Sequence, residues 1–325
     1  MDKVTMEQIA ARLGVSKNAV SLALRGMPGL GDELRGAILE TAAAMGYRYR
    51  AAGKSPETAT LCVAVSQNVR EGGEFFNEVL SGIEAAAREA GAVCTMAWYG
   101  GPDGGPEPPL CVANGTAGGI VCVGIFQKEQ IESLAGFGLP LVLVDHYIDG
   151  VRVNSVLSDN VSGAFTLVSA MLGAIGGDIG YVGNMDCSPS FFDRWLGYVK
   201  AHRLAGRAWR EETILKHPSE AAGLARLPSA FFCCNDLTAV ALMKELSRLG
   251  KAVPGDVAVA GFDDSVFATS VHPELTTVRV DKGLMGRKAV GRLLQLIANP
   301  GQTAETLLLE PELVARESAP VVILS

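Results

Sequence analysis

Apolar residues in the first 45 positions recur three and four apart, with no β-rich run among them, so this part of the chain reads as short helices. Thr5 precedes Met6-Glu7-Gln8 as a hydroxyl N-cap with Gln8 three residues on, the spacing of a capping box. Ile9, Ala10 and Leu13 make the apolar stripe of that helix, and Gly14 stands where a left-handed residue ends it. Ser16 caps a second helix running to about Leu24, with Ala19, Val20 and Ala23 inward. A third runs from about Asp32 to Met45, with Leu34, Ile38, Leu39 and Ala42 as its expected core face.

From Thr60 the period changes. Short β-rich runs (Leu61–Val65, Val93–Ala97, Gly119–Val123, Leu139–Val144, Ile179–Val182, Ala230–Cys234, Val257–Gly261) alternate with helical stretches at Phe75–Ala90, Ser162–Leu172, Trp195–Ala205, Leu237–Leu249 and Lys282–Ala298. Alternation on this scale predicts an α/β fold with parallel sheets covered on both faces. So many strands fit two doubly wound lobes better than one sheet, with a ligand between them at the carboxyl ends of strands. The predicted organisation is an all-α head over 1–47, a linker over 48–59, and a core over 60–325. The core divides into lobes of about 60–156 and 157–281, and the C-terminal segment crosses between them.

Composition narrows the function. The net charge of −7 argues against nucleic acid only until its distribution is read. Residues 1–54 hold eight Lys/Arg against five Asp/Glu, a balance of +3, and the remainder carries −10: a basic head on an acidic body. No apolar run approaches the ~20 residues needed to span a bilayer. The N-terminus lacks the apolar stretch and cleavage site of a signal peptide, so the expected location is the cytoplasm. Seven scattered cysteines fit reduced thiols, and neither a metal site nor a cofactor is expected. The Gly/Pro-rich stretch Gly100–Pro109 reads as a surface loop because it matches no phosphate-binding motif.

Two short helices around Gly14-Val15 have the spacing of a helix-turn-helix. Ser16, Lys17, Asn18 and Ser21 gather in the N-terminal half of the second, the half that enters a major groove. Asn can bond an adenine edge at two points, and Lys can reach guanine acceptors or phosphate. Thr5 and the helix-start amides suit phosphate. The same pattern also describes an ordinary three-helix head whose polar residues are merely solvated.

Val4-Thr5-Met6-Glu7-Gln8-Ile9-Ala10, Gly14-Val15-Ser16 and Ala19-Val20-Ser21 closely resemble the opening motif of the LacI/GalR family. The likeness continues through Gly82-Ile83-Glu84, Leu139-Pro140-Leu141-Val142, Arg194-Trp195-Leu196-Gly197 and Asn235-Asp236-Leu237-Thr238-Ala239. It extends over Val253–Asp264, Pro273–Val278, Gly286 and Leu313–Ser318, and so covers nearly the whole chain in order.

The resemblance implies a periplasmic-binding-protein-like core and a homodimer on a near-palindromic double-stranded operator. It also implies a small-molecule effector that controls operator affinity, usually a sugar or a nucleobase-type metabolite in the family, with a sugar expected here. Carried over by position, its recognition-helix contacts fall on Lys17, Asn18 and Ser21, with Leu22 beside them; the expected DNA-contacting set adds Thr5, Ser16, Arg25, Tyr47, Arg48 and Arg50. Its effector contacts fall on Phe75 and Phe76 from the first lobe, Asp145 near the junction, and Arg194, Asn235 and Asp263 from the second.

Those six side chains also make chemical sense together. A polyhydroxylated ligand needs bidentate acceptors, a fork-shaped donor and an aromatic face. Alternatives stay open residue by residue: Asp145 and Asp263 as helix caps, Arg194 as a surface ion pair, both phenylalanines as core, Asn235 as the start of a helix.

One segment departs from the family. Between Tyr47 and Leu61 there is no leucine, and Gly53 and Pro56 disfavour the usual hinge helix that wedges the minor groove. Arg48, Arg50 and Lys54 are expected to grip phosphate or a narrow groove instead. The competing reading of the whole chain is a cytoplasmic sensor that binds DNA weakly because of this linker. An enzyme is not expected, since His146, His202, His217 and His272 sit in no triad or metal spacing.

Overall fold

A computed structural model of the chain describes residues 5–24, 30–45, 59–70, 74–100 and 107–322. Arg25, Tyr47, Arg48, Arg50 and Lys54, with the linker up to residue 58 and most of the Gly/Pro-rich loop, lie outside the described residues. The head consists of α1 (Met6–Leu13), α2 (Lys17–Leu24) and α3 (Asp32–Ala44). Thr5 and Gln8 form the reciprocal capping box: Gln8 N donates to Thr5 Oγ1 at 3.3 Å and Thr5 N donates to Gln8 Oε1 at 2.8 Å. Gly14 ends α1 at φ 65°, and Ser16 Oγ accepts the Ala19 amide at 3.1 Å to start α2. Ile9, Val20 and Ile38 are fully buried at the centre. The core face of α3 is narrower than its apolar spacing predicts. Ile38 and Ala42 are buried, whereas Leu34 and Leu39 stay 38% and 43% exposed; Leu39, one residue on from Ile38, is turned about 100° away from it.

The first lobe opens with β1 (Thr60–Ser66), α4 (Glu74–Glu89), β2 (Val93–Tyr99), the single turn α5 (Leu110–Ala113) and β3 (Gly119–Val123). It continues through α6 (Lys128–Ala135), β4 (Leu141–Val144) and β5 (Asn154–Ser158). Next come α7 (Asn160–Ala174), β6 (Ile179–Val182), α8 (Pro189–Leu204), β7 (Ile214–Leu215) and β8 (Ala230–Cys233). Then follow α9 (Asp236–Arg248), β9 (Ala258–Ala260), the turn α10 (Val266–Thr269) and β10 (Thr277–Arg279). The chain ends with α11 (Lys282–Ala298), β11 (Thr306–Leu309) and β12 (Glu312–Val314).

The first sheet has the order β11-β5-β4-β3-β1-β2 and the second β7-β6-β8-β9, with every pairing inside them parallel. The α/β class and the helical head are therefore as the sequence predicts. Central strands are buried on both faces, with alternate residues entering different cores. Leu61, Val63 and Val65 of β1 face the large cluster that also holds α4 and α11, while Cys62 and Ala64 face a second cluster. Cys233 and Cys234 likewise enter separate clusters.

The chain passes between the lobes three times, at Ser158–Asn160, Arg279–Lys282 and Leu309–Glu312. The first passage falls two residues beyond the expected boundary at 156, because β5 runs on to Ser158. Glycines let the covering helices approach backbone to backbone. A Cβ on Gly82 would collide with the Gly283 carbonyl, and one on Gly286 with the Val79 carbonyl, so α4 and α11 meet with no side chain between them. Gly197 serves the contact between α8 and α7 in the same way.

Two glycines of α11 should thus respond oppositely to substitution. Gly286→Val, forced against backbone, should cost about 3 kcal/mol or more. Gly291→Ala, facing open space on an exposed turn, should stabilise by about 0.5–1 kcal/mol. Chemical denaturation of the two variants beside the parent checks both signs.

Candidate functional site

Five parallel strands are each followed, within three residues, by a residue of the candidate site. Asn68 follows β1, Ile125 follows β3, Asp145 follows β4, Asn235 follows β8 and Asp263 follows β9. Together with the N-terminal turns of α4 and α8 they enclose a cavity of about 300 Å³. All six residues singled out for effector binding line it: Phe75, Phe76, Asp145, Arg194, Asn235 and Asp263. Phe75 is half-buried and packs edge-to-face on buried Phe76, with ring centroids 5.2 Å apart.

Arg194 is not a surface residue. It projects from α8 and is 2% exposed. Its Nη2 lies 2.9 Å from Asp263 Oδ1, Nε donates to Asn160 Oδ1 at 2.8 Å, and Nη1 donates to the Cys234 carbonyl at 2.6 Å. The guanidinium lies 4.0 Å from the ring centre of Phe262 and 5.6 Å from that of Phe191. Asp263 Oδ1 has this ion pair as its single polar contact among the described residues.

Neither Asp145 nor Asp263 caps a helix. Both have left-handed backbones, φ 54° and 107°, and Asp264 follows at 48°. Such conformations cost about 1–3 kcal/mol each for residues other than glycine, and they hold only where surrounding bonds over-determine them. Asp264 is fixed by Arg316 at 2.6 Å and Arg279 at 2.8 Å. The Asp263 carbonyl accepts from buried Lys282 Nζ at 2.9 Å. The Asp145 amide donates to the Val156 carbonyl, and Ser190 Oγ donates to its carboxylate at 3.4 Å. Asn235 does start a helix: its Oδ1 accepts the Thr238 amide at 2.9 Å, while the residue still borders the cavity.

The carboxyl groups crowd one another. Burial, helped by the Asp263 charge and opposed by Arg194, pushes Asp145 up to about 7. Burial likewise lifts Asp263 above the ordinary carboxylate range, against the pull of Arg194 and Lys282. Asp236, just behind the wall, also rises to about 7 through burial and the Asp263 charge. It accepts from Thr277 Oγ1 at 2.6 Å and from the Ser265 amide at 2.7 Å, and so ties α9 to the floor of the cavity.

Several contributors escape sequence reasoning. Glu74, at the start of α4 in the first lobe, accepts the Val266 amide of the second at 2.9 Å. Tyr147 donates to Asp193 across the same gap at 3.0 Å. Asn68, Ser190, Phe191 and Phe267 complete much of the lining. The only sequence signal for Glu74 was its place immediately before Phe75-Phe76. Nothing local distinguishes it from an ordinary acidic helix start.

In the head, Thr5, Ser16, Lys17 and Asn18 are exposed around the turn and the first turn of α2, and Leu22 is partly buried. Ser21 lies on α2. No group of three or more His, Cys, Asp or Glu among the described residues is arranged to hold a metal ion. No helix among them is long and apolar enough to cross a membrane.

Comparison with known proteins agrees over the full length. The model of a periplasmic binding protein-like domain matches residues 178–319. The ribose operon repressor of Haemophilus influenzae is 28% identical over 329 residues, covering 97% of this chain and 98% of that protein. The transcriptional repressor PurR of Mannheimia succiniciproducens is 24% identical, again over 97% and 98%. Among solved structures, a complex of the regulator CelR with cellobiose superimposes with a TM-score of 0.73 at 23% identity, covering 98% of this chain and 100% of that one. A Lac repressor dimer bound to operator gives 0.69 at 21% identity, over 98% and 99%. With its helical head and two-lobed core, the chain is similar from end to end to these named repressors and shares the fold of LacI-family regulators.

Proposed function

We propose that this protein is a sequence-specific transcriptional repressor whose affinity for a near-palindromic operator is set by a sugar bound between its lobes. The observation that carries the reading is the convergence of Arg194, Asp145, Asp263, Asn235 and two phenylalanines on one interlobe cavity, in a chain that also bears a capped helix-turn-helix. Acceptor pairs, a forked donor and aromatic walls suit a ring of hydroxyl groups. Lys17, Asn18 and Ser21 on α2 are the base-reading set, with Thr5 and Ser16 on phosphate.

Binding to a palindrome requires two copies. The edge strand β2 supports a homodimer: Met96 and Trp98, on one face of it, are 54% and 45% exposed, an apolar patch that a second subunit would cover. A cytoplasmic regulator without catalytic activity completes the reading, in keeping with relatives that are named as regulators.

Three outcomes follow. Operator DNA from beside the gene should bind with nanomolar affinity at fixed salt, and one sugar of a panel should shift that affinity at least tenfold; gel-shift or anisotropy titration measures both. If no DNA binds while a sugar does, the protein is a sensor without operator function, the reading its leucine-free linker would favour. Arg194→Leu should abolish the sugar response, because it removes the fork and leaves Asp263 buried without a partner, while the separate head retains operator affinity.

The third concerns pH. A carboxyl lifted in the folded state keeps its proton after the unfolded chain has lost it, so its contribution to stability is full below about pH 4 and fades as pH rises toward 7. Asp145→Asn should therefore gain melting temperature relative to the parent at pH 7.5 and gain little at pH 4.5. Equal gains at both values would contradict the protonation argument.

A further inference from the structure

The charge and size of the cavity define its ligand more narrowly than the word sugar does, and the inference rests on the interlobe site proposed above. Among the described lining residues, three carry carboxyl groups (Glu74, Asp145, Asp263) and one, Arg194, carries a cation. That cation is already engaged by Asp263, Asn160 and the Cys234 carbonyl, and pressed on Phe262. Lys282 is near but turned away, on the Asp263 carbonyl and Glu78.

A phosphate ester entering this space would meet two or three carboxyl groups and no uncommitted positive charge. Like charges in a desolvated site repel far more strongly than in water. A hydroxyl-bearing neutral ring meets the opposite situation. Asp263 Oδ1 is held by Arg194 Nη2 alone and Asp145 has only a long contact from Ser190, so both carboxyl groups keep acceptor capacity for the hydroxyl donors of a ligand. The volume of about 300 Å³ lies at the lower end of the ~300–1,000 Å³ usual for ligand pockets, which favours a small ligand such as a single sugar ring.

We propose that the effector is an unphosphorylated monosaccharide, and that Glu74 and Asp145 are the specificity-determining residues that exclude phosphorylated sugars. Glu74 acts from the cavity edge. Its carboxylate holds the Val266 amide across the gap, so closure of the lobes itself brings a negative charge to the ligand.

The test is calorimetric titration of the full chain with ribose, glucose, ribose 5-phosphate, glucose 6-phosphate and cellobiose. A free monosaccharide should bind, and its phosphate ester should bind about 100-fold more weakly or less. Cellobiose should be no tighter than the monosaccharide. At pH 8, where Asp145 is ionised, Asp145→Asn and Glu74→Gln, which keep shape while removing charge, should each narrow the free-to-phosphorylated ratio about tenfold; their melting curves show whether they fold. A phosphate ester or cellobiose that binds more tightly than every free monosaccharide overturns the inference while leaving the sugar-regulator reading intact. So does a ratio that neither variant changes. Failure of all five sugars to bind would instead refute the sugar reading itself, and this inference with it.

Discussion

The interlobe architecture depends on a guanidinium buried beyond the reach of water. An ionised group cannot be left in such a place without compensation, because the desolvation cost exceeds what packing returns. Arg194 therefore dictates its neighbours. It needs Asp263 at the end of β9, Asn160 at the start of α7 and a carbonyl at the end of β8, and it draws these elements to one point. The left-handed backbone at Asp263 is the local strain this convergence maintains. Without the arginine, the loop after β9 would lose its reason to hold that conformation, and the acidic side chains around it would lose their counter-charge.

The fold was legible because its signals are local or strictly periodic. The capping box at Thr5 and Gln8 and the left-handed Gly14 are events within one turn. Strands β1, β3 and β8 are apolar on both faces, which marks parallel strands inside a covered sheet. The elements that escaped lack those signals. β5 reads Asn-Ser-Val-Leu-Ser, and its buried Asn154 is satisfied only by Arg292 and the Glu305 amide, which come from the far end of the sequence. β11 lies largely exposed at the edge and β12 is a three-residue strand paired to β10 alone, with no alternation to announce either.

The site divides the same way. Arg194, Asp145 and Asp263 could be named because each stands beside a recognisable strand or motif, and their chemistry is unusual for that position. Glu74, Tyr147 and Asp193 could not, since each acts on a residue of the other lobe and only the folded chain brings them together. Asp236 hid in plain view beside Asn235. An acidic residue in the first turn of a helix ordinarily serves the helix dipole, whereas here it turns inward to bind Thr277 and Ser265.

The three passages between the lobes bear on the order in which the molecule is made. The head is contiguous and can fold as soon as its last helix has emerged from the ribosome. Neither lobe can finish so early. The first waits for α11 and β11, the second for β12, all of which lie between Lys282 and Val314. A nascent chain thus carries a completed DNA-reading module ahead of an open sensor. A message cut short before residue 300 would release the head joined to a first sheet whose β5 edge is left bare and to a β10 without its antiparallel partner.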